Sequence, residues 1–231
     1  MEHAEALLQK RMMNYGDRPE LVVAQELVTQ NGYYIGTART KHDTHKKQRK
    51  ILAERLRAKA LKDWAHPAEL PEVHLFLQRL TQHPDRFISN IKCFMVNVML
   101  NTTFAHGSMP SLDNPLIARI NEATDHQFIA QIQGRFWVDF LPFLKYLPSW
   151  LPGMGWKKLG LEWREEVDSL YRELWDKTQK QMEEKTDGHP SLVQTLIETQ
   201  MDQISLLEGT TIAAAMVDGG TETLTATTVV L

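Results

Sequence analysis

The residues with the most chemical promise lie near the end of the sequence, in "TIAAAMVDGGTETLTATTVVL", positions 211–231. A carboxylate, Glu222, and a hydroxyl, Thr223, sit side by side one residue after the pair Gly219 and Gly220. An acid next to an alcohol suits proton delivery, and a carboxylate in so apolar a helix is costly unless it is paired or used. Each glycine in a helix interior costs about 1 kcal/mol relative to alanine. The pair therefore needs a reason. One is a close helix crossing with no room for a side chain; the other is an opening in the hydrogen-bond ladder beside a ligand. The residues alone leave both standing.

A second set of candidates lies on a basic stretch. Residues 39–62 hold ten Lys or Arg against two acids, Asp43 and Glu54. His45 and Arg49 are four apart, so they share one helix face. A solvated face is the default reading. A clamp for the carboxylates of a cofactor is the sharper one, and a nucleic-acid surface is a third. The third is disfavoured, because the stretch lacks interleaved aromatic residues and the chain's formal net charge is -3. The proline- and tryptophan-rich segment 136–156 reads as a packed loop, an interfacial patch or the entrance for an apolar substrate. The single cysteine, Cys93, sits in "NIKCFMVNVML" and reads as a buried inert thiol. Phosphate-loop, dinucleotide and zinc-protease motifs are missing, and the histidines have no ligand spacing.

These residues must be positioned by helices. Apolar residues recur at helical spacing in residues 2–14, 42–65 and 69–107, then in 113–133, 157–185, 190–199 and the final stretch. A strand-like alternation is never sustained, so the expected class is mainly α, in one domain or part of one. The start is charged, without the apolar run of a signal peptide, and uninterrupted apolar runs stay too short to span a membrane.

Four segments, in order, resemble the cytochrome P-450 superfamily of haem-thiolate monooxygenases, most closely its fungal members. "LLQKRMMNYGDRP" is similar to the family's helix B and the turn after it. "THKKQRKIL" is similar to helix C, whose pattern is Trp-x-x-x-Arg. "FLPFLKYLPSWLPGMGWKK" is very similar to the fungal F–G region. "AAAMVDGGTETL" is similar to the helix I signature, Ala/Gly-Gly-x-Asp/Glu-Thr-Thr. The resemblance implies the N-terminal and central half of that fold. Helix B corresponds to 1–29, the B–C loop to 30–41, helix C to 42–65 and helices D and E to 69–107. Helix F with the F–G region corresponds to 113–156, helices G and H to 157–199, and helix I to 201–231.

By the same resemblance, Gly219 and Gly220 border a groove for dioxygen, and Glu222 and Thr223 relay protons to it. Arg49 and His45 hold haem propionates, His45 standing where the family has Trp; Leu224 stands where the motif has its last Thr. The implied partners are a hydrophobic small molecule and an NADPH-dependent reductase, with association with the endoplasmic reticulum membrane. No residue here resembles the axial cysteine or the rest of the haem-binding second half. The expectation is a truncated family member, inactive as this isolated chain. A non-catalytic helical interaction protein, or a pseudoenzyme fragment, is the alternative.

Overall fold

The computed structural model describes residues 2–29, 33–40, 42–184, 190–200 and 203–230. Seven longer helices carry the architecture: α1 (Asp43–Arg55), α2 (Ala58–Gln82), α3 (Phe87–Phe104), α4 (Pro115–Ala130), α5 (Gly155–Glu183), α6 (Leu192–Gln200) and α7 (Leu206–Val230). Shorter helical pieces precede them, at Glu2–Ala4, Glu5–Lys10, Met12–Tyr15 and Val23–Val28. No strand occurs among the described residues, so the chain is mainly α, as its periodicity implies.

Each end of the bundle is set by local chemistry. Asn114 caps α4, its side chain accepting the Leu116 amide at 2.9 Å, with Pro115 in the first turn where its missing N–H costs nothing. Ser205 and Glu208 form a reciprocal cap at the start of α7: Ser205 N–H donates to Glu208 Oε2 at 2.8 Å and Glu208 N–H to Ser205 Oγ at 3.2 Å. Lys47 of α1 then reaches Glu208 at 3.1 Å, tying the basic helix to that end of α7.

The main core is built by α3, α4, α5, α6 and α7 around Leu100, Phe104, Ile120, Tyr171, Trp175 and Ile212, all almost inaccessible to water. A second cluster packs Leu21–Ala24 and Val28 against Ala130, Phe136, Val138 and Trp163. This cluster seats the otherwise irregular segment 136–154, which contains two 3-10 turns, Trp137–Asp139 and Pro142–Tyr146. Asp139 stitches it down by accepting the Val22 amide at 2.8 Å.

One expected boundary is corrected. The stretch 42–65 is not one helix, and Pro71 falls inside the next. The basic helix ends at Arg55, Arg57 turns to an extended backbone, and α2 runs from Ala58 through Pro67 and Pro71 to Gln82. Each proline removes an N–H, freeing the carbonyl four residues earlier. The two prolines are one turn apart, so both gaps fall on one side of the helix, and Pro71 is exposed there. The long contact of α2 with α3, including the tilted ring pair Phe76 and Phe94 with centroids 4.9 Å apart, outweighs that local loss. Pro71→Ala should therefore raise stability by up to about 3 kcal/mol in urea unfolding. An unchanged or lowered midpoint would instead place a helix start at Pro71.

Candidate functional site

α7 runs through the glycine pair without a break in its helical assignment. Residues advance by about 100° around a helix axis, which sorts its middle turns into two arcs. Ala214, Val217, Asp218, Thr221 and Thr225 fall together, and all five are buried. Ala215, Met216, Gly219, Glu222, Thr223 and Ala226 fall on the other side, where each is half or fully exposed. The acid, the alcohol and the first glycine thus share one uncovered face.

The two glycines do different jobs. A Cβ at Gly219 would meet nothing within 4 Å, so the backbone there borders open space. A Cβ at Gly220 would overlap the sulfur of Met99 on α3, so this position serves a close helix crossing. Only Gly219 lies on the open face. Thr223 donates its hydroxyl to the Gly219 carbonyl one turn back, which fixes the hydroxyl's direction on that face. Glu222 is half-buried beside it, with no salt bridge to a described residue.

The buried carboxylate of this helix is Asp218, which the sequence reading passed over in favour of Glu222. It is 0% exposed. Four donors converge on it. Tyr171 Oη at 2.5 Å and Thr124 Oγ1 at 2.9 Å donate to Oδ1. Gln127 Nε2 at 2.6 Å and Tyr34 Oη at 3.4 Å donate to Oδ2. Burial pushes the Asp218 carboxyl up from its ordinary 3.8 to about 6, and the four hydrogen bonds hold it from going higher. Burial, and then the Asp218 charge, raise the hydroxyls of Tyr34 and Tyr171 in turn, so both remain donors. A helical wheel was the available signal: Asp218 shares the apolar arc with Ala214 and Val217, whereas Glu222 does not.

The second candidate pair lies on α1. His45 is buried and Arg49 is exposed, one turn apart. Burial lowers the basicity of His45, and the charges of Arg49 and Arg18 lower it further against an opposing Asp17. A neutral imidazole offers one N–H to a carboxylate, while Arg49 offers a guanidinium without a salt bridge to a described residue. α1 meets α7 at Glu208. Gly219 is eleven residues further along α7, about 16 Å at 1.5 Å per residue. The structure therefore does not bring His45 and Arg49 into contact with the Gly219–Thr223 turn.

The described residues contain no group of three His, Cys, Asp or Glu side chains able to hold a metal ion. Cys93 is buried in α3, its thiol 3.9 Å from the Met109 carbonyl and 3.4 Å from Asn97 Nδ2, and burial pushes its pKa up. It behaves as an inert core thiol.

Known proteins that this chain resembles include fungal monooxygenases. Cytochrome P450 monooxygenase 208 of Postia placenta is 26% identical over 225 residues, covering 96% of this chain and 43% of that protein. Tryptamine 4-monooxygenase of Psilocybe cyanescens is 30% identical over 164 residues, 71% of this chain and 31% of that protein. Multifunctional cytochrome P450 monooxygenase af510 of Aspergillus fumigatus is 26% identical over 198 residues, 86% of this chain and 36% of that protein. The chain belongs to the cytochrome P450 superfamily. No family model matches it. It spans between 31% and 43% of the length of these relatives.

The divided glycine pair makes a direct test. Gly219→Ala should stabilise the chain by about 1 kcal/mol, since open space receives the methyl and helix propensity improves. Gly220→Ala must displace Met99 and should lower stability by about 1 kcal/mol despite the same propensity gain. Thermal unfolding of both variants checks this; equal shifts would mean that the two positions are not distinguished by packing.

Proposed function

We propose that these residues form the oxygen-facing and propionate-facing part of a haem-dependent monooxygenase acting on a small hydrophobic substrate. The observation that carries this reading is the open face of α7. It presents a bare glycine backbone, a fixed hydroxyl and a free carboxylate together, on a helix whose other side is locked into the core. In this reading α1 is the family's helix C, α2 and α3 are D and E, α4 is F, α5 and α6 are G and H, and α7 is I.

Bound haem would supply the oxidising chemistry; the chain's residues bind, orient and handle protons. Arg49 and His45 suit the propionates, one as a charged fork and the other as a neutral donor. Their distance from Gly219 requires a ligand large enough to reach from the α1 end of the site to the middle of α7. Gly219 leaves the helix surface bare where a small molecule must approach. Glu222, half-exposed, exchanges protons with water and passes them along the face to the Thr223 hydroxyl, which is held in place by the Gly219 carbonyl. An NADPH-dependent reductase is the proposed electron source.

The segment 136–156 supports an apolar approach to the site. Trp137, Tyr146 and Trp150 are 74%, 78% and 79% exposed, and Phe140 and Phe143 accompany them. Large aromatic side chains with a polar edge favour membrane–water boundaries, and an apolar substrate partitions to the same place. No described helix is long and apolar enough to cross a membrane, so any membrane association assigned to these residues would be interfacial.

Ferric haem titrated into the recombinant chain should give a saturable Soret change, weakened about tenfold by Arg49→Ala, the worth of one charge-assisted hydrogen bond. A titration without saturation, or one indifferent to Arg49, overturns this assignment. Because Cys93 is buried, the reduced sample under carbon monoxide should lack the thiolate-type band; its appearance would show that an axial thiolate is available after all.

A further inference from the structure

We propose that Asp218 is a positioning residue: its carboxylate sets the rotation of α7 that keeps Gly219, Glu222 and Thr223 on the open face. Calling that face functional rests on the monooxygenase reading above; the mechanical claim does not.

The geometry is that of a clamp. Two donors reach each carboxylate oxygen, and the four come from three places outside α7. Tyr34 lies in the 33–40 loop, Thr124 and Gln127 on α4, and Tyr171 on α5. Hydrogen bonds are directional, so four of them on one planar group fix both the azimuth and the axial position of its helix. Apolar contacts are not directional, and the rest of this arc offers only those, with Thr221 and Thr225 hydroxyls buried and unpartnered. On the far side of the helix, about 200° away, Gly220 meets only the flexible end of Met99. That contact limits how close α3 comes, but not how α7 turns.

Stability alone does not account for the residue. Burying a carboxylate costs several kcal/mol before its partners compensate, and replacing a buried charged group together with its partners by apolar side chains is often neutral or stabilising. What four directed bonds add over a leucine is a single orientation. Gln127 carries a further detail: its Oε1 is buried without a partner while its Nε2 serves Asp218. A flip of that amide would let Oε1 accept a hydrogen bond from the O–H of the protonated carboxyl, so the clamp holds in both ionisation states. The titratable groups facing Asp218 from packed elements are Tyr34 and Tyr171. Asp168, one turn before Tyr171, lines a cavity of about 10 Å³ together with Tyr34 and Gln127.

Hydrogen–deuterium exchange of the full chain, without haem, tests the claim. Asp218→Leu leaves four buried donors without their acceptor, so it should lower the global unfolding midpoint. Beyond that general change, it should speed exchange in residues 215–224 by about a further tenfold or more, the loss expected for hydrogen bonds to a charged group. α6, which does not touch the clamp, should change only with the general loss of stability. Tyr171→Phe keeps the ring and removes the shortest bond, and should give a smaller change confined to the same segment; it serves alone if the leucine variant does not fold. A pH series adds a readout that packing does not move. The folded carboxyl titrates near 6, above its ordinary 3.8, so its protonation favours the fold below about 4 and that contribution fades as pH rises through 6. Wild type should therefore gain stability relative to Asp218→Asn between pH 7 and pH 5.

Exchange rates within twofold of wild type in folded Asp218→Leu or Tyr171→Phe would overturn the positioning role, as would acceleration spread evenly over the chain, or no pH-dependent difference from Asp218→Asn. A wild type that binds no haem would overturn the monooxygenase reading and leave these exchange results unaffected.

Discussion

Everything distinctive about this chain depends on how one helix is held. α7 is apolar enough to be buried on all sides, and such a helix has many nearly equivalent rotations within a bundle. Placing a carboxylate in its middle removes that freedom, because the charge tolerates only the rotation at which Tyr34, Thr124, Gln127 and Tyr171 can all reach it. The core packs around the chosen rotation, and the face left uncovered is a consequence of the face that is clamped.

The same logic links the ends of the site. The α1 helix is too basic to be buried as a whole, and it is held to the bundle by a few contacts. Lys47 pairs with Glu208, and Gln48 donates to the Tyr33 carbonyl at 2.5 Å. Tyr33 adjoins Tyr34, so the loop that contacts α1 is also the loop that reaches Asp218. Electrostatics at the α1 end and hydrogen bonding in the middle of α7 are therefore coupled through two neighbouring tyrosines.

Much of this was legible in the sequence. The periodicity marked out the helices of the bundle, with 113–133 close to the bounds of α4. The residues of the open face were singled out because an acid, an alcohol and glycine are unusual in an apolar helix. What local reading missed was decided by tertiary packing. Pro71 signals a helix start by its chemistry, yet contact with α3 carries α2 past it. The glycine pair looked like one feature, and only the position of Met99 divides it. Asp218 stood inside the quoted motif, but its four partners are scattered from residue 34 to residue 171, and no local pattern in the sequence marks them as a set. The correspondence of individual helices to those of the family, and the roles of His45 and Arg49, rest on resemblance rather than on contacts seen in the fold.

The contact between Gly220 and Met99 also has an evolutionary reading. Where two helices cross with a glycine on one and a flexible side chain on the other, the pair shares a fixed volume. A methyl gained at position 220 must be matched by length lost at position 99, so the two sites are constrained jointly rather than singly. Position 219, one residue away, borders open space and carries no such partner. Across descendants of this sequence, adjacent glycines would thus follow different rules, one tied to a residue on another helix and the other answering only to what approaches the open face.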